Sequence, residues 1–134
     1  MEKAKIMIVD DDADFICVVK TILESEQYIV VTAGDKTEGM EKIMVEKPDL
    51  AILDVMMEVW NDGFEMSRQL KRDTRFKNMP VLMLTAVEKK TGIDFKSAAG
   101  DPLWLPVDAF LNKPVEPDVL LSEVKILLSK NSEN

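Results

Sequence analysis

Three successive aspartates, Asp10-Asp11-Asp12, end the apolar run Ile6-Met7-Ile8-Val9, and Asp54 ends the run Leu50-Ala51-Ile52-Leu53. Two short β-type segments that each stop at carboxylates point to a parallel sheet with a charged pocket at its carboxyl edge, where open α/β sheets bind ligands. Crowded carboxylates repel one another unless they share protons or hold a cation. The chain has no His and one cysteine, so a hard, oxygen-ligated divalent ion is the natural partner. Two further apolar runs lead to polar groups, Val81–Leu84 to Thr85 and Ala109–Leu111 to Lys113. Each residue has a plain structural reading as well. Asp10 and Asp11 could cap a helix, Thr85 is a common strand residue, and a lone Lys113 would be surface decoration. Their joint occurrence at the ends of four strands favours a site. A Lys ammonium offsets carboxylate repulsion, and a Thr hydroxyl donates to an anion. The set suits a carboxylate that takes a phosphoryl group while Mg²⁺ and lysine neutralise the developing charge.

The elements that must position these residues are legible as alternating apolar runs and helical patterns. Strands are predicted at Lys5–Val9, Tyr28–Ala33, Leu50–Leu53, Val81–Leu84 and Ala109–Leu111, with lengths and β-branched content that fit a buried parallel sheet. A first helix is predicted from about Asp14 to Glu26. Its buried stripe is Phe15, Val18, Val19, Ile22 and Leu23, with Asp12 or Asp14 as cap. A second helix spans Thr37–Glu46, places Met40, Ile43 and Met44 on one face, and ends at Lys47-Pro48. A third covers about Phe64–Lys71, with Phe64, Ser67 and Leu70 on one side. The last runs from Pro117, a residue suited to a first helical position, to Ser129, with a stripe of Leu120, Leu121, Val124, Leu127 and Leu128. The stretch Glu88–Asp108 is less regular. Glu88–Ala99 reads as a weak helix, and Gly100-Asp101-Pro102-Leu103-Trp104-Leu105-Pro106 cannot continue it. Five strands alternating with helices imply a doubly wound α/β sheet with right-handed crossovers.

A chain of 134 residues is one domain in size, expected over 1–129, with 130–134 as a polar tail or linker stub. Its 46% hydrophobic content supports a packed core. The net charge of −8 argues against direct nucleic-acid binding, which needs clustered Lys and Arg, and against an anionic membrane surface. No apolar run approaches the ~20 residues of a membrane helix. The start Met1-Glu2-Lys3-Ala4-Lys5 passes straight into a strand pattern without a signal peptide. Cys17 has no internal disulfide partner, falls opposite the apolar stripe of its helix, and reads as functionally silent. A reduced, cytoplasmic location is expected. The nine methionines read mostly as core and gap filler.

The pieces Ile8-Val9-Asp10-Asp11-Asp12, Leu53-Asp54-Val55-Met56-Met57, Asp62-Gly63, Pro80 to Ala86 and Phe110-Leu111-Asn112-Lys113-Pro114 span nearly the whole chain. Together they resemble the receiver domain of two-component response regulators, of the chemotaxis-regulator-like kind. The resemblance implies a flavodoxin-like fold, a five-stranded parallel sheet in the order 2-1-3-4-5 with helices on both faces. It implies that Asp54 is the phosphoacceptor, attacking a phosphohistidine on a sensor kinase or histidine phosphotransfer protein to form an aspartyl phosphate. Asp11, Asp54 and the backbone carbonyl of Met56 would ligate Mg²⁺, with Asp10 acting indirectly. Lys113 would pair with the phosphoryl oxygens, ahead of a cis bond to Pro114. Thr85 and Phe110 would be the switch residues, coupling phosphorylation to the face formed by the fourth and fifth strands. Kinase docking would use the start of the first helix, near Asp14, Phe15 and Val18, and the loop at Pro114. Such a domain assists its own phosphorylation and dephosphorylation without being an ordinary enzyme. Its downstream protein target is unknown from sequence, and the chain is expected to be a stand-alone receiver or a piece of a larger regulator.

The chain departs from the family pattern in two places. The stretch from Asp54 to Gly63 is longer by a residue, Glu58 stands where the family usually has Pro, and Trp60 is expected near the pocket. Thr85 to Lys113 is also longer, with the addition around Gly100–Val107. Leu103, Trp104 and Leu105 there form either an ordered tuck onto the sheet edge or a partner-binding anchor. Met56 and Val87 occupy the positions two beyond Asp54 and Thr85, which govern access of hydrolytic water in the family. Both are apolar, so slow self-dephosphorylation is expected. Replacing Met56 by Asn and Val87 by Glu should shorten the phosphoryl lifetime, and an unchanged decay rate would contradict this. Three other classes fit less well. A dehalogenase-type aspartyl-phosphate phosphatase needs an acid where Met56 stands. A flavin carrier would place its phosphate against Asp10-Asp11-Asp12, and coloured protein would reveal it. A degenerate docking receiver would not need the full set of site residues.

Overall fold

The computed structural model describes residues 4–54, 62–85, 108–112 and 115–132. Five strands, β1 (Lys5–Val9), β2 (Ile29–Ala33), β3 (Leu50–Asp54), β4 (Val81–Thr85) and β5 (Ala109–Asn112), form one sheet in the order β2-β1-β3-β4-β5. All four pairings are parallel. Helices α1 (Ala13–Glu24), α2 (Lys36–Glu46), α3 (Asp62–Arg72) and α4 (Pro117–Ser132) pack on it. This is the doubly wound arrangement and strand order expected from the sequence. The weak helix expected at Glu88–Ala99 and the irregular Gly100–Val107 lie outside the described residues.

Strand alternation sorts the core into two layers. Met7, Val9, Ala51, Leu53, Val81 and Met83 meet Ile43 of α2 and Met66 and Leu70 of α3. Ile6, Ile8, Leu50, Ile52, Leu82 and Leu84 meet Val19 and Leu23 of α1 and Leu120, Val124 and Leu127 of α4. A strand buried on both faces reads as a continuous apolar run, which is why β1, β3 and β4 were visible without alternation.

Two helix faces differ from the expected stripes. Val18 is 56% exposed, whereas Val19 and Leu23 are buried. Successive helical residues lie about 100° apart, so a face centred on Val19 turns toward Ile16 and leaves Val18 in solvent. The same geometry applies to α2, where Ile43 and Gly39 are buried and Met44 faces outward. Gly39 is there because α2 lies tight on β1. A Cβ at this position would sit 3.0 Å from Val9 Cγ2 and 3.1 Å from Met66 Cε. In α3, Ser67 and Leu70 are buried as expected, together with Met66. Helix α4 continues to Ser132, beyond the expected end at Ser129. Cys17 is exposed, as its position on α1 implied.

Caps fix the helix starts. The Asp12 carboxylate accepts from the N–H groups of Asp14 and Phe15. Asp35 accepts from Glu38 N–H, and Glu38 reaches back to Gly34 N–H at 2.8 Å, a reciprocal arrangement of the capping-box type. Asp108 holds the start of β5 in place, accepting from Val81 N–H and from Lys71 Nζ at the end of α3.

Candidate metal and phosphoacceptor site

Register places the acids side by side. Val9 pairs with Leu53, so Asp10 and Asp54 are the next residues on neighbouring strands. Asp54 pairs with Leu84, and Thr85 with Asn112. Thr85 therefore ends β4 one step beyond the acids, at the same edge of the sheet. The side chain of Thr85, and all of Met56, Val87, Trp60, Lys113 and Pro114, lie outside the described residues.

The three consecutive aspartates divide their work. Asp12 caps α1. Asp10 is 2% exposed, and its Oδ1 accepts from Asp12 N–H at 2.9 Å. Its own N–H donates to Ala33 O of β2, which pins the backbone at the strand end. Asp11 is exposed at the mouth of the site. Asp54, 5% exposed, rises from the floor of the sheet.

Carboxylate oxygens of Asp10, Asp11 and Asp54 all lie within 4.8 Å of one another. At such a separation each pair of charges repels by on the order of 3 kcal/mol with an effective dielectric near 20. A shared cation reverses the sign of that interaction. The donors are all hard oxygens, which suits Mg²⁺ or Ca²⁺ over softer metals. Mg–O bonds of about 2.0–2.1 Å put opposite ligands about 4.2 Å apart, so the set closes on one such ion with small side-chain adjustments. The residues present fit a divalent cation. The resemblance implies an indirect role for Asp10, and its carboxylate stands in the same cluster as the other two. Phe110, half-buried, pairs with Met83 and packs against the core layer of α2 and α3.

Residues 6–125 match the family model of the response regulator receiver domain. The chain is 35% identical over 127 residues to the alkaline phosphatase synthesis transcriptional regulatory protein PhoP of Bacillus subtilis, covering 95% of this chain and 49% of that protein. It is 35% identical over 130 residues to the DNA-binding dual master transcriptional regulator RpaA of Synechocystis, covering 94% and 49%. The chain thus spans about half the length of these curated relatives. Among solved structures, a CheY-like receiver domain protein from Methanospirillum hungatei superposes with a TM-score of 0.78 at 30% identity, covering 98% of both chains. The chemotaxis response regulator CheY4 of Vibrio cholerae does so with a TM-score of 0.75 at 30% identity, covering 93% of this chain and 98% of that one. With the sheet order, the aspartate cluster and these likenesses in agreement, the chain belongs to the response regulator receiver domain family.

Proposed function

We propose that this receiver accepts a phosphoryl group on Asp54 from the phosphohistidine of a sensor kinase or histidine phosphotransfer protein. The observation that carries this reading is the aspartate cluster, with one buried acid on β3 beside two acids after β1. In the reaction, an Asp54 carboxylate oxygen attacks phosphorus, the P–N bond to the donor ring breaks with its electron pair passing to that nitrogen, and the ring, already protonated at its other nitrogen, leaves as neutral imidazole. Asp10 and Asp11, with Asp54 and the Met56 carbonyl, would hold Mg²⁺. When bound, that ion neutralises charge building on the transferring oxygens. Burial of Asp54 limits the water around its carboxylate and leaves the carboxyl edge as the route of approach. Lys113 pairs with the phosphoryl oxygens, and Thr85 turns its hydroxyl toward them.

The switch then acts on the β4–β5 face. Thr85 ends β4, and Phe110 sits on the adjoining β5, half-buried against the core. That face is proposed to meet a protein target, and the exposed Val18 on α1 to meet the phosphodonor. The domain acts as a signalling module whose only chemistry is on its own aspartate. No described helix is long and apolar enough to cross a membrane, which accords with a proposed cytoplasmic location. Residues 1–129 are proposed to act as the receiver unit, with the output borne by a separate partner or by further chain.

Incubation with Mg²⁺ and a small acyl phosphate, read by intact mass, tests this. One added phosphoryl group is expected, absent in Asp54→Asn and absent with chelator. Equal labelling of Asp54→Asn would overturn the assignment.

A further inference from the structure

At the amino edge of the sheet, opposite the aspartate cluster, a half-open cleft of about 650 Å³ lies between the end of α2 and the turn after α3. Its apolar surface comes from Met44, Pro48, Phe76 and Met79, and its rim carries Lys47 and Arg75. The volume falls within the roughly 300–1,000 Å³ of ordinary binding sites. Asp49 also lines the cleft, but its carboxylate accepts from Lys5 N–H.

Lys47 stands out. It ends α2 with φ 48°, a left-handed conformation that Gly or Asn adopts with less strain. Among the described residues its ammonium has no ion-pair partner. The negative end of α2 accounts for a cation at this point, but not for the apolar surface beside it. Charge is also segregated. The chain carries a net −8, yet Arg68 to Lys77 holds five cations and one acid. Arg68, Lys71 and Arg75 are in ion pairs with Glu65, Asp108 and Asp73. Arg72 and Lys77 are exposed and, like Lys47, have no ion pair with a described residue.

We propose that this cleft docks an acidic peptide segment of a partner protein, with one apolar side chain seated on Met44, Phe76 and Met79 and flanking carboxylates facing Lys47 and Arg75. Charge complementarity favours that occupant, because an acidic segment is repelled by the opposite pole of the molecule and drawn to this one. A buried apolar anchor inside a charged rim is the usual build of a small docking site. The site does not depend on phosphorylation at Asp54.

The full chain, methyl-labelled at methionine, can be titrated at low salt with a short synthetic peptide bearing one Phe flanked by Asp and Glu. Saturable shifts are expected at Met44 and Met79 and not at Met7, which is buried in the sheet. The shifts should fade as salt rises. Lys47→Gly should weaken binding by roughly tenfold while raising thermal stability, because glycine relieves the left-handed strain. That pairing separates lost recognition from a damaged fold. Four results would each overturn the proposal: unmoved Met44 and Met79 methyls at saturating peptide, equal shifts with Lys and Arg replacing the acids, undiminished affinity in Lys47→Gly, or response to decanoate but not to the peptide.

Discussion

Asp10, Asp11 and Asp12 are adjacent in sequence and differ in fate because a strand ends and a helix begins within three residues. Asp12 is spent on α1 as its cap, Asp10 is buried against the strand end, and Asp11 projects at the mouth. The acidic run and a capping role for Asp12 were visible in the sequence, but the burial of Asp10 beside an exposed Asp11 was not, since it depends on where the strand ends and the helix begins. Removing the exposed member tests the metal reading with the least risk to the fold. Asp11→Asn should lower Mg²⁺ affinity by roughly tenfold or more, about 1.4 kcal/mol, in a calorimetric titration, while raising the thermal midpoint of the metal-free protein, because its repulsion with Asp10 and Asp54 is removed. Unaltered Mg²⁺ affinity would remove Asp11 from the ligand set. Thr85 and Lys113 were legible from their joint place with the acids at strand ends, since a lone Thr or Lys says little by its own chemistry, and Met56 only through the family pattern.

Strands were easier to read than helix faces. Runs such as Leu50–Leu53 are apolar on both sides, so their burial does not depend on register against a neighbour. Helices expose part of their surface, and a stripe one residue too wide admits Val18 in α1 and Met44 in α2, which the packed molecule turns outward. Gly39 was equally unreadable, because its role is set by the approach of α2 to Val9 and Met66. In a helix interior Ala is favoured over Gly by about 1 kcal/mol. Here the added methyl meets Val9, a stiff β-branched side chain with no exposed surface, and overpacking of that kind costs about 1–3 kcal/mol. Gly39→Ala is therefore expected to destabilise the domain by about 1 kcal/mol in urea unfolding. A rise in stability would show that Val9 and Met66 yield.

At the scale of the whole molecule, charge is arranged by pole, with carboxylates converging at the carboxyl edge and cations gathered in the last turns of α3 and the turn that follows. Two partly exposed acids away from the site also tie stability to pH. The Gly34 N–H bond, with Lys42 nearby, holds the Glu38 carboxyl below its ordinary value of 4.5. The Arg75 guanidinium holds Asp73 below 3.8. Groups with depressed values bind fewer protons folded than unfolded, so their contribution is full above the ordinary values and is lost as pH falls through the folded ones. Glu38→Gln keeps an acceptor for Gly34 but no longer titrates. It should flatten the loss of thermal stability below about pH 4.5, and a curve parallel to the natural protein's would refute the linkage. The fold, the family and the aspartate cluster support the central proposal, that Asp54 among three neighbouring carboxylates is the residue that takes phosphate. The most direct measurement is borohydride trapping of the Mg²⁺-dependent adduct from a small acyl phosphate, followed by peptide mass mapping. The account predicts modification at Asp54 alone. Modification at Asp10 or Asp11 with Asp54 untouched, or no adduct at all, would contradict it.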